Sequence, residues 1–141
     1  TRLVRQALAE TAPPDGAVFL LGHRADVLDL MVATDLFVFP SLHEGLGCSL
    51  IEAMGLATPI VGSDAPAVAE TLGWGRYGLI VFRGDRRALA RAIEDLLLAP
   101  ERRAELGRRG RERFLESYEI QQVADATVEL YRRISSGTSG G

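Results

Sequence analysis

Two glutamates, Glu44 and Glu52, flank a glycine turn, Gly45-Leu46-Gly47, which is followed by Cys48 and Ser49. Upstream lies the apolar run Leu36-Phe37-Val38-Phe39, ended by Pro40. Downstream, Leu50, Ile51, Ala53 and Met54 have helical spacing, and Gly55 offers a stop. This pattern predicts a buried parallel strand, a tight turn and a short helix. Such a turn sets the bare amides of a helix N-terminus before the strand's carboxyl end, a ready site for an anion, phosphate above all. Gly45 and Gly47 bracket the turn. Glu52 falls about one turn along the helix from Cys48. A ligand with a diphosphate at the helix start therefore meets a carboxylate on each side. Carboxylates only accept hydrogen bonds, so they suit hydroxyl-rich groups, a sugar on one side and a ribose on the other. The same residues also fit a plain glycine turn with solvated or helix-capping glutamates.

The elements that must position this turn alternate between strand and helix. Residues 2–11 read as an amphipathic helix closed by Pro13-Pro14-Asp15-Gly16. Ala17 to Leu21 reads as a buried strand ending at Gly22-His23-Arg24, and Asp26 can cap a helix from Val27 to Ala33. After the central motif, Thr58 to Gly62 is the next strand, Val68 to Leu72 one or two helical turns, and Gly73-Trp74-Gly75-Arg76 a loop with Trp74 packed in it. Leu79 to Phe82 is the last strand. Asp85 caps a helix over 86–98, Pro100 starts another, and 118–134 gives the final one. Alternation of this kind means a Rossmann-like parallel α/β sheet with flanking helices, whose ligands sit at the strand carboxyl ends. Four loops fall there: His23-Arg24, Ser41 to Gly47, Ser63 to Ala67 and Arg83-Gly84. All four are expected to face one crevice.

The 141 residues amount to one domain at most, and 47% apolar composition supplies a core. No run reaches the length of a membrane span, and no signal-peptide pattern opens the chain, so a cytoplasmic location is expected. A net charge of −3 argues against a general nucleic-acid binder. All 16 basic residues are arginine; six of them, at 102, 103, 108, 109, 111 and 113, form a solvated helix face, with a weak peripheral contact to an anionic membrane as the alternative. One Cys and two His leave little for a disulfide or a zinc site. The chain enters its first helix directly from Thr1, which reads as a piece of a longer protein.

The order of motifs resembles the C-terminal, nucleotide-sugar-binding domain of the retaining GT-B glycosyltransferases of family 4. The residues that carry the resemblance are Phe39-Pro40-Ser41, Glu44 to Glu52 with its glycines, Ala53-Met54-Gly55, and Thr58-Pro59-Ile60-Val61, with Ala33-Thr34-Asp35 before them and Tyr77 to Val81 and Gly84-Asp85 after them. It covers residues 1–134 as a partial domain, with 135–141 as a flexible tail.

The resemblance implies transfer of a sugar from a nucleotide-diphosphate sugar to an acceptor hydroxyl with retention. That sugar nucleotide is the donor substrate; no metal and no other cofactor are implied. Glu44 matches the catalytic-region glutamate that contacts the donor sugar, and Glu52 the one that binds the ribose hydroxyls. Gly45, Leu46 and Gly47 match positions passing close to sugar and diphosphate, with Leu46 in place of the commoner Phe. Cys48 and Ser49 are expected to give backbone amides to phosphate rather than a reactive thiol. His23 and Arg24 match the loop beside the nucleobase. Pro66-Ala67 departs from a frequent Gly-Gly pair. The resemblance also implies that the first two strands and a basic pair lie outside this chain, that the acceptor is bound by a missing N-terminal domain, and that the fragment alone is inactive. Rival readings are another sugar-nucleotide enzyme on the same fold, of epimerase type, and a non-catalytic nucleotide-sugar-binding or interaction domain.

Overall fold

The computed structural model describes residues 2–11 and 16–137. Helix α1 spans Arg2–Thr11 and α2 Val27–Val32. Strand β1, Phe37–Phe39, leads through the glycine turn into α3, Cys48–Gly55. Strand β2 is Ile60–Ser63, α4 is Pro66–Thr71, and a 3-10 turn covers Gly73–Gly75. Strand β3 is Leu79–Val81. Helices α5, Arg86–Leu97, α6, Pro100–Ser117, and α7, Ile120–Gly137, complete the chain. Residues 12–15, read above as the end of the first helix, and residues 138–141, the end of the expected tail, lie outside the described residues; α7 itself reaches Gly137.

The three strands form one parallel sheet in the order β1-β2-β3, with Val38 opposite Val61 and Gly62 opposite Ile80. Their side chains alternate between two apolar layers, as the pleat requires. Ile60 joins Leu50, Met54, Val68 and Leu72 on the face covered by α3 and α4, with Phe37, Phe39 and Ile80 packed against them. Val61 joins Ala92 and Leu96 of α5 on the other face, with Leu79 and Val81 beside them. Burial on both faces is why these strands read as unbroken apolar runs.

Helix α3 is fixed at its C-terminal end. The Thr58 amide donates to Ala53 O and the Ala57 amide to Met54 O, both at 3.0 Å, which is the double closure of a Schellman motif. Its left-handed position is held by Ala57 (φ +57°) and not by Gly55, which stays inside the helix. Below it, the buried Thr58 hydroxyl donates to Met31 O at 3.1 Å and ties down α2. The arginines of α6 form a largely exposed face, Arg102, Arg108, Arg109 and Arg111 being exposed, and several of them also bond the protein itself. Arg103 closes α5 by donating to Leu96 O at 2.8 Å, Arg111 bonds Gly55 O, and Arg108 and Arg109 pair with Glu105. Arg113 lies 5.6 Å from each of the Tyr77 and Tyr118 ring centres.

Three further expectations are corrected. Residues 17–21 form no strand: no ladder pairs them, and Val18, Phe19, Leu20 and Leu21 are exposed. An apolar run becomes a strand only where a neighbour takes its backbone hydrogen bonds, and among the described residues none does. Asp26 sits at the N-cap of α2 but makes no side-chain cap bond; its carboxylate is taken by Arg24. Trp74 is 76% exposed rather than packed. No helix among the described residues is long and apolar enough to cross a membrane.

Candidate functional site

The turn between β1 and α3 is built around Gly47. It takes the N-cap position of α3 in the left-handed region, φ +64° and ψ +57°, a conformation that costs an L-residue roughly 1–2 kcal/mol. Sterically a side chain would fit, so the demand for glycine comes from the backbone. A methyl group on Gly47 would stand 3.4 Å from Glu44 Cγ, 3.5 Å from Leu50 Cβ and 3.7 Å from the Phe39 ring. Gly45 differs: its φ is not positive, and nothing lies within 4 Å of where a Cβ would be. The protein itself therefore has no steric need for glycine at 45.

The helix behind the turn carries no side-chain cap. The Leu50 amide folds back to Gly47 O at 2.8 Å. Among the described residues, none accepts a hydrogen bond from the amides of Cys48 and Ser49. These are orphan donors at the positive end of the helix dipole, with Cys48 exposed and Ser49 half-buried.

The two carboxylates differ in setting. Glu44 folds over its own turn, with Oε1 accepting from the Gly45 amide at 3.0 Å. Its other oxygen has no partner among the described residues. Glu52 lies exposed on the second turn of α3, and its carboxylate makes no hydrogen bond or ion pair among the described residues. The motif thus presents two solvent-facing acceptors and two orphan donors around one helix start. His43 is exposed beside them, and Leu46 is 62% exposed at the tip of the turn.

Of the four loops expected at one crevice, three are joined. The loops after β1, β2 and β3 surround a cavity of about 270 Å³ whose wall includes Pro40, Leu42, Ser63, Phe82, Arg83 and Arg86. The Asp64 amide donates to Val81 O at 2.9 Å, and the Arg83 amide to Asp64 Oδ1 at 2.7 Å. His23 and Arg24 are not joined to them by any hydrogen bond or ion pair among the described residues. Both are exposed on the stretch before α2. The Arg24 guanidinium is engaged by Asp26, at 2.7 Å from Nε to Oδ1, and that hydrogen bond holds the Asp26 carboxyl below the usual carboxylate range.

Sequence reading placed Ser63 and Arg83 on the crevice loops and gave them no role. Their partners, Ser41 and Leu42, lie 22 and 41 positions away in the chain, so no local pattern marks them.

The signature of the family "Glycosyl transferases group 1" matches residues 2–113. Alpha-maltose-1-phosphate synthase of Mycolicibacterium smegmatis is 37% identical over 116 residues, which is 78% of this chain and 30% of that protein. Among solved structures, sucrose-phosphate synthase from Thermosynechococcus elongatus superposes with a TM-score of 0.84 at 29% identity, covering 96% of this chain and 34% of that one. Anabaena Alr3699/HepE, solved with UDP and glucose, superposes at 0.80 with 24% identity, covering 91% of this chain and 36% of that one, and shows likeness of fold. The chain spans about a third of the length of these relatives.

Proposed function

Since the chain belongs to the glycosyl transferases group 1 family, we propose that it is the donor-binding part of a retaining glycosyltransferase, holding a nucleotide-diphosphate sugar while an acceptor bound elsewhere in the protein receives the sugar. The observation that carries this reading is the start of α3. Two orphan amides, a left-handed glycine and two exposed carboxylates surround the carboxyl end of β1. Anions bind at helix starts, and sugar hydroxyls donate to carboxylates.

In this arrangement the diphosphate lies against the amides of Gly47 to Ser49. The open space at Gly45 admits the sugar–phosphate junction. Glu52 accepts from the ribose hydroxyls. Glu44 accepts from the donor sugar through the oxygen that its own turn leaves unused, and it stands nearest the bond that breaks. The amides and the helix dipole stabilise the negative charge that grows on the departing diphosphate, and they are already oriented before the reaction begins. His23 and Arg24 border the base. HepE, similar in fold and solved with UDP and glucose, makes a uridine nucleotide the first ligand to test.

Saturation-transfer NMR of the chain with UDP, GDP and ADP tests the reading. Binding of one nucleoside diphosphate, lost in Glu52→Ala, supports it. Equal binding by wild type and Glu52→Ala removes the ribose assignment, and no binding of any nucleotide removes the site.

A further inference from the structure

The segment that carries Glu44 has no regular secondary structure, yet three successive carbonyls in it are each held by a side chain. Ser63 Oγ, buried at the end of β2, donates to Ser41 O at 2.5 Å. Arg83 Nη1 reaches Leu42 O at 3.4 Å. Ser41 Oγ donates to His43 O at 2.8 Å. Arg83 is pinned in turn. Its amide donates to Asp64 Oδ1 at 2.7 Å, and its Nε lies 3.5 Å from the same oxygen. Asp64 therefore orients the second residue of the loop after β3, and the guanidinium carries that orientation to the loop after β1.

The energy of these links is modest. The Arg83 and Asp64 side chains are 38% and 25% exposed, and an ion pair so placed adds little to stability. Their effect is directional. Residue 44 follows three residues whose carbonyls point at fixed donors on β2, on β3's loop and within the segment itself. Beyond Glu44, the chain must enter the left-handed turn at Gly47. Pre-set geometry of this kind spares a ligand the cost of ordering a loop on binding.

We propose that Ser63 and Arg83 are positioning residues for Glu44: they lock residues 41–43 so that the carboxylate meets the donor sugar in one arrangement. The inference rests on the donor-site reading above for its ligand, and on the loop geometry alone for its mechanical part. Neither residue need touch the donor. Arg83 is the better probe, because Ser63 is buried and its replacement disturbs the end of β2.

The test uses the nitrogen-15-labelled chain with Arg83→Ala and Arg83→Lys. In wild type the amides of His43 to Gly47 should have order parameters in the rigid range, about 0.85. Arg83→Ala should lower them below about 0.6 while the amides of Val61 and Ile80 stay rigid. The ratio of affinities for UDP-glucose over UDP, repeated with the guanosine and adenosine pairs, should fall about fivefold in the same variant, as expected for one weakened hydrogen bond to the sugar. Arg83→Lys should recover part of both, since an ammonium reaches one acceptor but lacks the guanidinium fork. A loop that stays rigid in Arg83→Ala overturns the proposal. So does loosening spread evenly over the sheet with the affinity ratio unchanged, which is what a merely structural role produces. Should wild type bind none of these nucleotides, the donor-site reading fails, while the order parameters still decide whether the lock exists.

Discussion

A methyl group on Gly107 would stand 2.1 Å from the carbonyl oxygen of Ala57, so α6 crosses the end of α3 backbone against backbone. Ala57 is the left-handed residue that closes α3, and the next two positions lead into β2. The pair therefore sets where α3 begins its turn into the sheet, and with it where the orphan amides of Cys48 and Ser49 point.

Gly107→Ala should accordingly destabilise the fold by about 1–3 kcal/mol, the usual penalty for forcing atoms into a packed contact. The atom it meets is backbone, which places it at the upper end. Ala57→Gly should go the other way. It removes left-handed strain of about 1–2 kcal/mol, partly offset by the greater freedom of glycine in the unfolded chain, roughly 0.4–1 kcal/mol. Urea denaturation of both variants measures this; a Gly107→Ala midpoint equal to wild type contradicts the close crossing.

The two glycines of the turn should separate under the same substitution. Gly47→Ala meets a positive φ, with its neighbours only at ordinary contact distance, and the backbone strain should cost about 1–2 kcal/mol of stability. Gly45→Ala meets neither and should leave stability within about 0.5 kcal/mol of wild type. If the space beside Gly45 receives the sugar–phosphate junction, Gly45→Ala should nonetheless weaken nucleotide-sugar binding. A Gly45→Ala variant that is both stable and unaltered in binding would show that the ligand keeps away from that side of the turn.

The carboxylates should divide by step. Glu52→Ala should weaken nucleotide affinity about ten- to a hundredfold, the worth of a charged hydrogen bond to a ribose hydroxyl. If the proposed transfer is assayed with an acceptor-binding domain present, Glu44→Ala should lower kcat more than it raises the donor KM. Steady-state kinetics with varied donor reads both, and the reverse pattern would exchange the two assignments.

Much of this could be read from the chain because local signals and tertiary roles coincide. Leu36 to Phe39, Ile60 to Val61 and Leu79 to Val81 are apolar on both faces because helices cover both faces, and Asp85 caps α5 through the Arg87 and Ala88 amides as its position implied. The run Val18 to Leu21 carries the same local signal, but a ladder needs a second strand, and that lies outside any local pattern. Asp26 met the capping rule and lost to a competing guanidinium two residues away. Ser63 and Arg83 act through carbonyls of distant residues, and any residue has a carbonyl, so nothing in Ser41 or Leu42 announces the partner.

Acid should loosen α6. The Arg108 hydrogen bond, followed by that of Arg109, holds the Glu105 carboxyl below the ordinary carboxylate range. A carboxyl with a lowered folded pKa adds stability that is fully present above its unfolded pKa and is lost as pH falls through the folded value. Melting curves from pH 7 downward should therefore show a steeper acid loss in wild type than in Glu105→Gln. Identical slopes would mean that these exposed pairs contribute nothing measurable.

The 141 residues alone should transfer no sugar, even where they bind a nucleotide. They span about a third of the relatives they match. Transfer needs an acceptor hydroxyl set against the anomeric carbon, and such placement supplies roughly 7–11 kcal/mol of barrier reduction. Binding at the α3 start alone, through two amides and one or two carboxylates, should be weak, in the millimolar range near 4 kcal/mol. Incubating the purified chain with UDP-, GDP- and ADP-sugars and a panel of hydroxyl acceptors, then following nucleoside diphosphate release, measures this. Release at an ordinary enzymatic rate, above about 1 per second, would mean that one small domain binds donor and acceptor together, and the division of labour proposed here would be wrong. Weak binding without release, restored to turnover when an acceptor-binding domain is supplied, is the outcome expected of a donor-holding part.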